Sequence, residues 1–444
     1  MAGIGTRYTN LGEQVDNQID RHMNLIVESM NDAIVQPAAL ILGGGFARGE
    51  GTAKVIDGVV HPINDYDITI VTEEPLSFSK NTLNTLALEL SKKITNTSFS
   101  FTESTNVFHF YLDFRCMTTK ELMRLPPLLK YYELKHSGKV IYGDQSILDL
   151  IPNYQIKDMP REDGFRFLFN RMSLLVEFFR TKYLRKDMSI QEKESLLYFI
   201  SKMNMSIAEA LTLLSNTFEP SYVQRANILE KSYATHYPEL SSIAPNVPDI
   251  VTWATDCKLH FEDYVAATSA EEVVDLWFKT RENLRHVIPY YTSKLYGIDN
   301  QIDWIRDSDH FMGLLRGKLD VRYTRDAIKA KLKLPLTTSI AKYASYGAQV
   351  YLNSLYYRKL KELKGISYRK ILHEITDPGL KIFRALPQIL YALKEDGSHD
   401  RAMISRGVDR LQKLQPSPQG LGLDDWDSAS VFYADVFRIY QFMM

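Results

Sequence analysis

Residues 42–67 read LGGGFARGEGTAKVIDGVVHPINDYD. An apolar run (38–42) ends in the glycines Gly43, Gly44 and Gly45, a polar segment carries Arg48 and Glu50, and Asp65, Tyr66 and Asp67 head a second apolar run. Residues i and i+2 of a strand share a face, so Asp65 and Asp67 are expected side by side, with Tyr66 and Ile68 on the opposite face. Adjacent ionised carboxylates disfavour one another unless a counter-charge stands between them. Magnesium or manganese supplies that charge, and magnesium takes one or two protein carboxylates and completes its shell with water and substrate phosphates. Where a strand turns through glycines into a helix, backbone N–H groups are left to bind phosphate. Alone, a glycine triplet also reads as a plain turn and Asp, aromatic, Asp as a solvated strand end; their succession within one strand, turn, strand unit favours a metal and phosphate site.

Two other phosphate motifs do not fit. A Walker loop requires Lys and a hydroxyl residue after its second glycine; Gly44 and Gly49 have the spacing, but Glu50 and Gly51 follow. Counted from Gly43 and Gly45, the third glycine of a dinucleotide fingerprint falls on Arg48, so a Rossmann cofactor site is excluded.

At these residues the chain resembles the polymerase-beta-like nucleotidyltransferase superfamily, whose signature is an apolar residue and Gly with Gly or Ser, followed on the next strand by Asp, apolar, Asp. The longer pattern of Gly44 to Gly51 and Asn64 to Asp67 is similar to uncharacterised bacterial nucleotidyltransferase-domain proteins. Segments 124–144 (RLPPLLKYYELKHSGKVIYGD), 201–214 (SKMNMSIAEALTLL) and 219–225 (EPSYVQR) extend the likeness, which spans about 38–225. The superfamily usually sets a shorter stretch between glycines and first aspartate than Gly45 to Asp65; Asp57 and Gly58 between β-branched pairs are a hairpin signal that accommodates the excess.

The resemblance implies two metal ions held by Asp65 and Asp67 around a nucleoside triphosphate, and a third carboxylate from a later strand. Asp113 in VFHFYLDF (107–114) is the candidate, where alternation sets His109, Tyr111 and Asp113 on one face. It further implies triphosphate contacts from Gly44 and Gly45, departure of pyrophosphate, and a basic residue from the helical region, for which Lys202 and Arg171 stand as candidates. Lys202 reads equally as a lysine snorkelling to solvent. Arg48 suits bidentate contacts to phosphate oxygens or a solvated helix start, and Glu50 suits a partner for Arg48 or a helix cap. ATP is the nucleotide expected from the superfamily at large.

The 444 residues are 45% hydrophobic and 24% charged with formal net charge −1, ample for two or three folded domains and without a global pull toward nucleic acid or membrane. Cys116 and Cys257 make no disulfide framework or CxxC pair, and no HExxH-type histidine pairing occurs. The start MAGIGTRYTN lacks the apolar core of a signal peptide, and no apolar run approaches a membrane span. A cytoplasmic protein without membrane contact is expected.

The fold expected is α+β: a polymerase-beta-like nucleotidyltransferase domain with a mixed sheet and helices (1–155), followed by a large all-helical region (156–444), with 297–316 as a possible subdivision. A helix carrying Val15, Ile19, Met23, Ile26, Met30 and Ile34 precedes strands at 38–42, 54–60, 67–71, 107–114 and 140–142, with a helix at 82–95. Helices follow at 163–183, 190–214, 222–233, 247–267, 270–295, 325–332, 339–363, 379–393, 399–414 and 428–442, with a Pro and Gly loop at 414–427. Basic residues from Arg316 to Lys333 and from Arg358 to Lys370, interleaved with Tyr323, Tyr356, Tyr357 and Tyr368, read as a solvated helix face or as an RNA contact. The favoured function is therefore a metal-dependent nucleotidyltransferase acting on a small-molecule, sugar or protein hydroxyl. An RNA-directed transferase and a catalytically silent nucleotide-binding or partner module are the alternatives.

Overall fold

A computed structural model describes residues 7–33, 37–63, 65–75, 80–95, 110–315, 378–414 and 423–441. The order opens with α1 (Glu13–Ala33), β1 (Ala39–Leu42), α2 (Gly44–Ala47), β2 (Ala53–Ile56), β3 (Val59–Pro62), β4 (Tyr66–Thr72) and α3 (Lys80–Thr95). It continues with β5 (Leu112–Thr118), α4 (Thr119–Leu122), α5 (Leu129–Ser137) and β6 (Lys139–Gly143). Four strands form one sheet in the order β5-β4-β1-β6. β1 runs antiparallel to β4 and β6, whereas β4 and β5 are parallel, so the sheet is mixed.

Alternation along β1 explains the layers. Leu40 and Leu42 enter one apolar cluster with Ile19, Met23, Ile26 and Met30 of α1 and Leu83, Ala87 and Leu90 of α3, while Ala39 and Ile41 enter a second with Leu122, Leu125, Leu134 and Val140. The i, i+3/i+4 spacing of the α1 residues gives the stripe that covers the first face. β2 and β3 form a separate hairpin, and Asp57 and Gly58 both take positive φ, 52° and 78°, as a two-residue primed turn requires. The spacer between the glycines and the carboxylates is thus a hairpin, as the Asp-Gly pair implies. The strand expected at 107–114 is shifted: β5 runs Leu112–Thr118, with 107–109 outside the described residues. Parallel pairing with all of β4, from Tyr66↔Leu112 to Thr72↔Thr118, sets those limits.

Among the described residues the C-terminal region is helical: α6 (Glu162–Phe178), α7 (Ile190–Leu214), α8 (Tyr222–His236), α9 (Pro238–Ile243), α10 (Val247–Leu259), α11 (Phe261–Ala267) and α12 (Ala270–Tyr296), then α13 (Pro378–Leu390), α14 (Arg401–Gln412) and α15 (Trp426–Gln441). The helices expected at 325–332 and 339–363, and the basic stretch, lie outside the described residues. No helix of the described residues is long and apolar enough to cross a membrane.

Two compact units result. One comprises Met1–Pro160 with Ser215–Lys231 and Val251–Ala267; the other comprises Arg161–Leu214, Ser232–Ile250 and Thr268–Met444. The sheet unit thus recruits two segments from the helical half, which a contiguous division at 155/156 does not anticipate. Described residues on both sides of 297–316 fall in the same unit. The helical unit buries Trp277, Trp304 and Trp426, and all three indoles are satisfied by backbone carbonyls, Trp277 Nε1 donating to Leu175 O at 3.0 Å, Trp304 Nε1 to Arg285 O at 3.2 Å and Trp426 Nε1 to Ile389 O at 2.8 Å.

Candidate active site

Gly43 N donates to Asp67 O at 2.8 Å, which extends the β1–β4 ladder by one bond and fixes the glycine turn beside the second aspartate. Gly44 follows at φ 66°, a conformation that L side chains resist. A Cβ there would stand 2.6 Å from Asp67 Oδ2. Backbone and carboxylate therefore share a space only glycine leaves open. Gly45 closes the turn, its carbonyl accepting from Arg48 N at 3.1 Å and Glu50 N at 2.8 Å. Gly44→Ala is expected to destabilise the protein by about 1–3 kcal/mol through the positive φ and displacement of Asp67, read as a lowered denaturation midpoint; an unchanged midpoint would remove the strain argument.

Asp67 and Asp113 are directly paired across β4 and β5. Their neighbours Tyr66 and Leu112 are buried on the opposite face, so both carboxylates emerge on the same side, 42% and 36% exposed. Arg115, two residues beyond Asp113, presents its guanidinium to both: Nη2 donates to Asp113 Oδ2 at 2.8 Å and to Asp67 Oδ1 at 3.3 Å, and Nε to Asp113 Oδ2 at 3.2 Å. Burial opposes the charged guanidinium, but Asp67 and Asp113 outweigh it and raise its pKa. Asp65 is exposed and stands one residue before the β4 ladder begins. Burial foremost, then the charges of Asp113 and Asp65, raises the Tyr111 phenol's pKa, which sets Tyr111 in the field of both carboxylates.

Beneath the pair, Tyr66 is fully buried, with its ring edge-on to Phe46 and Phe110 and its hydroxyl 3.0 Å from His22 Nδ1. Burial, aided by His61, lowers the His22 pKa to about 4, so a neutral imidazole supports the strand from below at neutral pH.

Arg48 and Glu50 have a different surrounding. Glu50 is 5% exposed. Its carboxylate accepts from Ser221 Oγ at 2.6 Å, Tyr222 N at 3.0 Å and Val223 N at 3.2 Å at the start of α8, and from Arg48 Nε at 3.1 Å. It thus caps a helix that begins 172 residues away, combining the hydrogen bonds of an N-cap with favourable charge at the dipole's positive end. Arg48 lies over the Tyr222 ring at 4.5 Å, and Arg225 over the same ring at 4.9 Å; both guanidiniums approach Glu133, at 3.7 and 3.8 Å. Where the sequence suggests nucleotide contacts at Arg48 and Glu50, both side chains are buried in this clamp. The helix-cap reading of Glu50 applies, to α8 rather than to its own short helix.

Arg171 on α6 and Lys202 on α7 belong to the helical unit, and Lys202 Nζ stands 4.5 Å over the Tyr198 ring. Arg115 escaped the sequence reading although the Asp, Phe, Arg spacing is a same-face pair, because ending the strand at Phe114 hid it. Ser221, Tyr222, Arg225 and Glu133 lie within 219–225 and 124–144, segments that the sequence singles out without assigning a role to any of the four.

Among the described residues no three His, Cys, Asp or Glu side chains form a metal-binding group. The expected set of Asp65, Asp67 and Asp113 is not gathered into one; Asp65 stands one residue before the ladder that pairs the other two. Asp67 and Asp113 do fit a hard cation: two carboxylates from adjacent strands are what magnesium typically takes from a protein, and the guanidinium they share reports the positive charge this pair demands. Comparison with protein-family models, curated proteins and solved structures found no match.

Proposed function

We propose that this protein is a metal-dependent nucleotidyltransferase that moves a nucleoside monophosphate from a nucleoside triphosphate to an acceptor hydroxyl on a small molecule, sugar or protein. The observation that carries the reading is the meeting of the Gly43–Gly45 turn with the Asp67 and Asp113 pair at one end of the mixed sheet. A phosphate-binding turn and a cation-binding pair are two of the requirements of phosphoryl-type transfer, which is governed by positioning and charge neutralisation.

In this reading Asp67 and Asp113 hold magnesium or manganese, with Asp65 at the strand entrance adding charge. The bound ion would neutralise phosphoryl oxygens and lower the acceptor hydroxyl's pKa. Backbone N–H groups of Gly44 and Gly45 take triphosphate oxygens. Asp113 orients the acceptor hydroxyl and receives its proton as the new bond from the acceptor oxygen to the α-phosphorus forms. The bond from the α-phosphorus to the bridging oxygen breaks, and pyrophosphate leaves with that electron pair. ATP is the first nucleotide to test.

The test is transfer of label from each α-phosphate-labelled nucleoside triphosphate, with Mg2+ or Mn2+, into fractionated cell extract. Label is expected in an RNase-resistant product, either small or protease-sensitive. RNase-sensitive label would move the acceptor to RNA. Nucleotide binding without label from any of the four triphosphates would leave a silent binding module and overturn the transferase reading.

A further inference from the structure

Arg115 is the unexpected element of the site, and it explains how two half-exposed carboxylates stand side by side. The pair carries charge −2 and the guanidinium returns +1. With a divalent cation added the cluster would reach +1, and the attraction that holds Arg115 would vanish. A cation arriving alone therefore competes with a planar fork already bonded to both acids by three hydrogen bonds. A nucleoside triphosphate changes that balance, since it brings several negative charges and oxygens that suit the same fork. The side chain is 42% exposed, and the three hydrogen bonds that its movement from carboxylate to phosphate would break are exposed ones.

We propose that Arg115 is a positioning residue, the site's own counter-ion, which a divalent cation displaces only together with a nucleoside triphosphate and which then bonds the triphosphate. The proposal rests on the nucleotidyltransferase reading. Cation and nucleotide are then coupled: each raises the other's affinity by the same factor, and the coupling passes through one side chain.

Arg115→Gln removes the charge and keeps the length. The measurement is Mn2+ affinity by electron paramagnetic resonance of the free ion, for the full chain and the variant, with and without a non-hydrolysable ATP analogue. Without nucleotide, Arg115→Gln is expected to bind Mn2+ at least about tenfold tighter than the wild type. At saturating Mn2+ the variant is expected to bind the analogue about tenfold more weakly, so the coupling falls. Arg115→Lys, which retains charge without the fork, should lie between on both axes and serves if the Gln variant does not fold. A purely structural arginine would weaken both affinities or neither; Mn2+ binding to the variant that is equal to or weaker than wild type overturns the counter-ion role while leaving the transferase reading standing. No Mn2+ binding by either protein, with or without analogue, overturns that reading as well.

Discussion

Asp67→Asn is expected to lower nucleotidyl transfer by at least about a thousandfold, about 4 kcal/mol of transition-state stabilisation, with little change in folding stability. The substitution keeps shape and removes one charge from the Asp67 and Asp113 pair. Its structural cost is small because Asp67 is half exposed and its bond to Arg115, at 3.3 Å, is a surface ion pair worth at most about 1 kcal/mol. The backbone carbonyl that accepts from Gly43 is untouched. Steady-state transfer assays with a parallel thermal melt separate the two effects. Asp113→Asn is expected to match it, and the double variant should be little worse than either, since residues that act as a unit lose function non-additively. Full activity in Asp67→Asn would remove the carboxylate pair from the mechanism.

Glu50→Ala is expected to cost about 3–5 kcal/mol, a large part of the 5–15 kcal/mol that typically holds a domain together. The change deletes the acceptor for Ser221 Oγ and for the Tyr222 and Val223 amides, and leaves Arg48 buried without its nearest carboxylate. Denaturant titration measures the loss, and amide hydrogen exchange locates it: Tyr222 and Val223 should exchange faster while the β1–β4 ladder keeps its protection. Glu50→Gln, which retains an acceptor but adds an NH2 facing donors, should fall between. A full-stability Ala variant with unchanged exchange at 222 and 223 would mean that the start of α8 holds without this cap.

Several features were legible because they are local. The stripe from Val15 to Met30 repeats at helical spacing and forms α1, and the apolar patterning of 190–214 coincides with α7 at both ends. Asp57 and Gly58 announce their turn because few residues tolerate consecutive positive φ. Asp67 could be nominated as a candidate because its carboxylate heads a largely buried strand that follows a glycine turn.

Other features depend on partners far along the chain. The limits of β5 follow from the parallel register with β4, not from its own composition, and ending the strand at Phe114, four residues short of Thr118, was enough to conceal Arg115. Glu50 shows the same limit: its neighbours in sequence permit a cap, an ion pair or a phosphate contact, and the choice is made by Ser221, Tyr222 and Val223.

From the sequence alone came the α+β class, the glycine turn, the hairpin and the nomination of Asp67 and Asp113 as candidates, because backbone conformational preference and the two-residue and 3.6-residue periods act over a few neighbours. The tertiary structure decided which carboxylates stand together, that a guanidinium joins them, and that Arg48 and Glu50 hold a distant helix. Those outcomes depend on charges meeting across strands and segments up to 173 residues apart, and the energy of such a meeting is set by distance in space and by exclusion of water, which sequence separation does not encode.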